Sequence, residues 1–172
     1  VKYYDKTATV LLWEYKGDKD RTVVEYDQIS DYLKQATISL EDRRFYEHNG
    51  FDPKGLSRAV VGRGENGGGS TITQQLVKNE LLEDNEKTIS RKIKELILAV
   101  EVERTYSKEQ ILTMYLNAIN YGGTSYGIES GAQRYFRKPA KDLSLGESVF
   151  LASIPQRPSR YDPYSEYFNQ EI

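Results

Sequence analysis

The sequence predicts a mainly α domain, and three observations carry that reading. Capping boxes at Ser107-x-x-Gln110 and Ser144-x-x-Glu147 stand ahead of apolar runs, each supplying side-chain partners for backbone N–H groups that a helix start leaves open. Apolar residues recur at helical spacing over 27–48 and 90–104. Strand-like composition is confined to the first 26 residues. At 172 residues the chain suits one domain with a sizeable core. We take that domain as 1–172, with an N-terminal hairpin over 1–26, a helical region over 27–158 and an irregular tail over 159–172.

In chain order, Thr7–Tyr15 and Arg21–Tyr26 are rich in Val, Leu, Tyr and Trp around the turn-forming Lys16-Gly17-Asp18-Lys19-Asp20, which predicts a β-hairpin. The helical pattern from Asp27 to His48 is apolar at Ile29, Leu33, Ala36 and Leu40. Continued in register, it puts Glu41, Phe45 and the only histidine, His48, on one face. Glu41 then stands at the edge of a buried stripe, where desolvation raises a carboxyl pKa and makes a general base. The competing reading is a helix end whose acids pair with Arg43 and Arg44.

Asp52-Pro53 supplies an N-cap followed by proline at the first helical position. The short helix it predicts carries Leu56, Ala59 and Val60 on one side and Lys54, Arg58 and Arg63 elsewhere, a basic amphipathic segment suited to a lipid interface or to packing on the core. Five glycines in the eight positions 62–69 read as a mobile loop. In the helix predicted over Ser70–Asn79, Thr71, Gln75 and Lys78 align as a polar stripe. Glycines and N–H groups at a helix start, with a lysine two turns in, make an anion cradle. The Gly-Lys-Ser/Thr ending of a phosphate-binding loop is missing, however, and an ordinary capped helix has the same pattern.

The next helix, Ser90 to about Arg104, is apolar nearly all round and is expected to be central. Glu95, with Arg91 one turn back, reads either as a capping ion pair or as a second active-site carboxylate. A helix from Ser107 to Ile119 ends at Asn120-Tyr121-Gly122-Gly123, and helices over 126–136 and from Ser144 to Ile154 follow, the last closed by Pro155 and Pro158.

Composition excludes several chemistries. The absence of cysteine removes thiol catalysis, disulfides and Cys-based metal centres, and a single histidine excludes a His-rich metal site. A net charge of −2 describes a soluble surface and argues against a nucleic-acid-coating protein. Fourteen tyrosines against five phenylalanines suit carbohydrate faces, membrane interfaces and half-buried cores alike. No run approaches the roughly 18–20 apolar residues a bilayer span requires. The chain starts at Val1 and reads as an excised fragment, with any membrane anchor upstream.

Five ordered blocks together resemble the peptidoglycan glycosyltransferase (transglycosylase) domain of class A penicillin-binding proteins and monofunctional cell-wall glycosyltransferases. They are Glu41-Asp42-Arg43-Arg44-Phe45-Tyr46-Glu47-His48, Gly68-Gly69-Ser70-Thr71-Ile72-Thr73-Gln74-Gln75, Arg91-Lys92-Ile93-Lys94-Glu95, Tyr115-Leu116-Asn117 with the 121–128 region, and Leu151-Ala152-Ser153-Ile154-Pro155. The segment between Val61 and Gly67, Asn120 in place of a common aromatic, and Gly123-Thr124-Ser125 depart from the family pattern.

The resemblance implies a lysozyme-like helical fold with a small membrane-facing subdomain and, for region 27–158, an inverting transferase. Such an enzyme polymerises lipid II into β-1,4-linked glycan strands and releases undecaprenyl diphosphate. By carry-over, Glu41 is the general base, Asp42 supports it, and Glu95 is the second glutamate. Phe45, His48, Ser70, Thr71, Gln75, Lys78, Asn79, Arg91, Lys94 and Asn117 fall at substrate-binding positions, Lys78 and Arg91 facing the donor's diphosphate. The resemblance fixes no cofactor; Glu95 would orient the Lys and Arg groups or a divalent ion such as Mg2+ near the diphosphate.

The implied partners are lipid II, the growing glycan and the membrane surface, with no nucleic acid. The implied location is the extracytoplasmic face of the bacterial cytoplasmic membrane, below an upstream transmembrane helix. A fused transpeptidase domain and cell-wall synthesis proteins lie outside this chain. Two competitors remain: a lysozyme-like hydrolase, which would activate water with the same carboxylates, and a non-catalytic membrane-docked module.

Overall fold

The computed structural model describes residues 2–4, 11–14, 21–54, 69–82 and 88–156. Two short strands, β1 (Lys2–Tyr4) and β2 (Leu11–Glu14), pair antiparallel. Helices follow as α1 (Asp31–Glu41), α2 (Ile72–Glu80), α3 (Ile89–Thr105), α4 (Lys108–Ala118), α5 (Ile128–Phe136) and α6 (Leu145–Ser153). Single 3-10 turns occupy Tyr26–Gln28, Phe45–Glu47, Ala140–Asp142 and Ile154–Gln156. The described part is therefore helical, as the sequence predicts. The amphipathic segment and glycine loop over 55–68, and the tail after Gln156, lie outside the described residues.

Local chemistry sets the helix starts. Ser107 and Ser144 each accept from the N3 backbone N–H while Gln110 and Glu147 reach back to the cap N–H, so both predicted boxes form. Thr71 and Gln74 make a third. The core gathers on α4, whose Ile111, Leu112, Tyr115 and Leu116 are buried with Leu33 of α1, Ile72 of α2, Ile128 of α5 and Leu151 of α6. α1 lies along α6, and α2 packs against both α3 and α4, which brings the first turn of α2 close to the end of α1.

Three expectations are corrected. The hairpin pairs 2–4 with 11–14, not 7–15 with 21–26; residues 21–25 form no strand. Instead they are held by Asn117, whose Oδ1 accepts from Val24 N (3.0 Å) and whose Nδ2 donates to Val24 O (2.9 Å), so a side-chain amide stands in for the strand partner. The helical run entering the Glu41 motif is not continuous to His48. It ends at Asp42, with φ −156° and ψ 75°, and Phe45 and His48 belong to a separate turn and an extended residue. The long helix α3 is not central: Ile89, Ile93 and Ile97 are 82%, 52% and 59% exposed, and only Glu95 and Ala99 on its opposite side are fully buried. The centre is α4. Asn120, the departure from the family pattern, also has a local use, because its side chain accepts from Gly122 N and donates to Gly123 O to close the turn after α4.

The close approach of α3 explains its small buried residue. Gly50 lies against the Ala99 backbone with φ +87°, and a Cβ there would come within 2.8 Å of the Ala99 carbonyl carbon and oxygen. Its carbonyl accepts from Thr71 Oγ1 at 2.9 Å, so one residue joins the Glu41 motif, α2 and α3. Gly50→Ala combines a left-handed backbone with a backbone clash and is expected to cost about 2 kcal/mol. Thermal unfolding, with the melting point lowered by roughly 4–8 °C for a chain of this size, checks it.

Candidate active site

Glu41 is the last residue of α1, and its carboxylate turns towards α2. Gln75 Nε2 donates to Glu41 Oε2 at 2.8 Å, and Tyr115 Oη of α4 donates to Gln75 Oε1 at 3.2 Å. Glu41 Oε1 is buried and has no hydrogen-bond partner among the described residues. Burial raises the Glu41 pKa, the neighbouring Asp42 charge adds to the rise, and the Gln75 hydrogen bond opposes it. The predicted desolvated carboxyl is thus present. The alternative pairing holds only for Glu47, which binds Arg44 together with Asp52; Arg43 donates to Ser39 O, and neither arginine forms an ion pair with Glu41 or Asp42 among the described residues.

Two tyrosine hydroxyls share this environment. Burial first, and then the Glu41 charge, push both Tyr115 and Tyr121 upward, so each stays protonated. Tyr121 Oη makes no hydrogen bond among the described residues. Among the described residues Glu41 thus has an amide on one oxygen and two protonated tyrosine hydroxyls near enough to feel its charge, with no cation paired to it, a setting that keeps a carboxylate basic.

Asp42 faces the other way. Its Oδ1 and Oδ2 lie 3.0 and 2.9 Å from His48 Nε2, and Oδ2 accepts from Ile72 N at 3.1 Å. A carboxylate accepts only, so Nε2 carries the hydrogen. Asp42 and His48 are both buried, and Ile72 N is the first N–H of α2, where a negative charge is favoured by the helix dipole. Phe45 is fully buried beneath Lys108, whose Nζ lies 4.5 Å above the ring and donates to His48 O at 2.7 Å. Lys108 also pairs with Glu103, which accepts from Thr73 Oγ1 at 2.6 Å. Asp42, Phe45 and His48 accordingly fix the motif to α2, α3 and α4.

A second, cationic cluster forms at the start of α2. Lys92 Nζ donates to Ser70 Oγ at 3.0 Å and contacts Glu95 Oε1, and Arg91 Nη1 lies 3.9 Å from Glu95 Oε2. The buried Glu95 thus orients two basic side chains. A donor set of this kind does not fit a divalent ion at Glu95, and among the described residues no group of His, Asp and Glu suits a metal. Ser70 is engaged by Lys92, and Thr71 Oγ1 is used by the α2 cap and by Gly50. Lys78, Asn79 and Lys94 are exposed, and Lys78 has no ion pair among the described residues. Asn117 is distinct. Its carbonyl and both amide hydrogens serve Val24 and Thr113, which leaves no amide hydrogen for a ligand.

The first turn of α2 therefore joins the two carboxylates, Glu41 through Gln75 and Glu95 through Lys92 and Ser70. Sequence reasoning gave no role to Lys92, Tyr115 or Tyr121. Lys92 was legible as the i−3 partner of Glu95, whereas Tyr115 meets Gln75 only through the packing of α4 on α2.

A helical domain that sets a desolvated carboxylate beside a capped helix start, with a separate cationic cluster at the next helix, has the groups to accept a proton and to hold an anion. Residues 8–171 match the model of the Transglycosylase family, and the chain belongs to that family. It is similar to penicillin-binding protein 1A of Clostridium tetani, 46% identical over 153 residues that make up 84% of this chain and 19% of that protein. Penicillin-binding protein 1F of Bacillus subtilis is 46% identical over 149 residues, 84% of this chain and 21% of the relative. Penicillin-binding protein 1A of Vibrio cholerae is 44% identical over 151 residues, 86% and 18% respectively. The chain spans about a fifth of the length of these curated relatives.

Proposed function

We propose that the chain polymerises lipid II into β-1,4-linked peptidoglycan strands by inverting glycosyl transfer. The observation that carries this reading is the desolvated Glu41 with one oxygen held by Gln75 and the other without a partner among the described residues. A sugar hydroxyl attacking an anomeric carbon loses its proton, which requires a base poised near the operating pH. The departing diphosphate requires fixed positive charge elsewhere, for which Lys78, Arg91 and Lys92 are the groups, Glu95 orienting the last two. Asn79 and Lys94 lie exposed on the same helices and extend that surface. A hydrolase activating water has no use for the cationic cluster.

The test is to supply purified lipid II in detergent and analyse the products. Long glycan with release of undecaprenyl diphosphate supports the transferase, and free reducing ends without elongation overturn it.

The substrate's lipid stays in the bilayer, so the enzyme must meet the leaflet. The exposed Ile89, Ile93 and Ile97 stripe, with Leu81 53% exposed at the end of α2, supports a membrane-contacting face on α3. No helix among the described residues is long and apolar enough to cross a membrane, and an upstream anchor and a fused penicillin-binding transpeptidase domain complete the proposed protein. Ile93→Glu with Ile97→Glu is expected to lower co-sedimentation with phosphatidylglycerol vesicles by about tenfold, with unchanged circular dichroism. Unchanged sedimentation would remove α3 from the membrane face.

A further inference from the structure

We infer that Tyr115 is a positioning residue for Glu41, holding the Gln75 amide so that its NH2 group engages Glu41 Oε2 and leaves Oε1 as the oxygen that receives the substrate's proton. The inference rests on Glu41 being the base.

The argument begins with the two-ended chemistry of Gln75. A glutamine amide presents an acceptor oxygen on one side and two N–H donors on the other, and which end faces a carboxylate decides between attraction and repulsion. Glu41 as a carboxylate accepts only. Tyr115 Oη, fully buried and 3.2 Å from Gln75 Oε1, donates to the amide oxygen, so the NH2 end is turned to Glu41, 2.8 Å from Oε2. A flipped amide would set two acceptor oxygens against each other. The Tyr115 hydroxyl thus fixes, from α4, the orientation of a carboxylate at the end of α1.

This arrangement distinguishes the two oxygens of Glu41. Oε2 is engaged, while Oε1 is buried with no partner among the described residues. As the acceptor hydroxyl oxygen bonds to the anomeric carbon, the bond from that carbon to the diphosphate oxygen breaks and its electron pair stays on the diphosphate. The hydroxyl proton moves to Oε1, which makes Glu41 a neutral acid still accepting from Gln75 through Oε2. Among the described residues the other titratable groups around Glu41 are Asp42 beside it and the Tyr115 and Tyr121 hydroxyls; Arg43 and Arg44 are turned to other partners.

The experiment measures lipid II polymerisation against pH for the wild type, Tyr115→Phe, Gln75→Leu, the double variant and Glu41→Gln. Tyr115→Phe keeps the ring and releases the amide, so kcat is expected to fall about tenfold with KM little changed. Losing an oriented donor to the ionised carboxylate moves the acidic limb of the rate profile to higher pH. Gln75→Leu is expected to show the same direction of shift, and the double variant to be no worse than Gln75→Leu alone, because both changes act through one hydrogen bond. A folded Tyr115→Phe with an unaltered profile, or additive losses in the double variant, would overturn the positioning role. Should Tyr115→Phe unfold, the Gln75→Leu profile decides, an unshifted limb overturning the inference. Polymerisation retained by Glu41→Gln would instead remove the base assignment itself, whereas an inactive Glu41→Gln beside a wild-type-like Tyr115→Phe removes only the role of Tyr115.

Discussion

Glu41→Gln is expected to reduce lipid II polymerisation by about 10²–10⁴-fold, the range attributed to a positioned base, while the folded protein melts higher than the wild type at neutral pH. The activity loss follows because an amide at position 41 offers no basic oxygen for the hydroxyl proton. The stability gain follows from linkage. Burial holds the folded-state pKa of Glu41 above its ordinary value of 4.5, so folding favours the protonated form. The corresponding stability is fully present below the ordinary value, where both states are protonated, and is lost as pH rises through the elevated one. Above that point the wild type carries a carboxylate its surroundings disfavour, and glutamine removes the burden while still accepting from Gln75. The melting-point gap should close on acidification. A variant that is inactive and also melts well below the wild type would attribute the activity loss to the fold, and an active variant would assign the base elsewhere.

That trade of stability for reactivity was legible in the sequence, because it depends on a local fact: Glu41 follows an apolar stripe at Ile29, Leu33, Ala36 and Leu40, three of them buried. The helix starts at Ser107 and Ser144 were legible for the same reason, since a capping box is complete within four residues. Features closed by distant partners were not. The helix break after Glu41 is stabilised by an acceptor for Ile72, 30 residues on, and no periodicity within 27–48 contains it. The exposure of α3 was hidden because an apolar helix looks the same whether its faces meet protein or a bilayer. The motif makes Asn117 a substrate contact. In the fold it grips Val24, 93 residues away, a partner that only the path of the N-terminal segment supplies.

Asp42 offers the sharpest separation of scaffold from electrostatics, through two substitutions with opposite signatures. Asp42→Ala leaves the Ile72 N–H and the His48 Nε2–H without their acceptor in a buried setting, and is expected to cost about 4 kcal/mol. At roughly 2–4 °C per kcal/mol for a chain of this size, the melting point should fall by about 8–16 °C. Asp42→Asn is different. Its side-chain oxygen can still accept from Ile72 N, and its NH2 can donate to His48 Nε2 once the ring carries its hydrogen on Nδ1, so most of the melting point should survive. What Asn removes is the negative charge beside Glu41. Burial dominates the raised Glu41 pKa and Asp42 adds to it, so Asp42→Asn should move the acidic limb of the polymerisation profile to lower pH, opposite to the shift expected for Tyr115→Phe. Equal melting losses for Ala and Asn would show that the charge itself holds the junction of α1 and α2. An unshifted limb in a stable Asn variant would confine Asp42 to anchoring His48 and the start of α2.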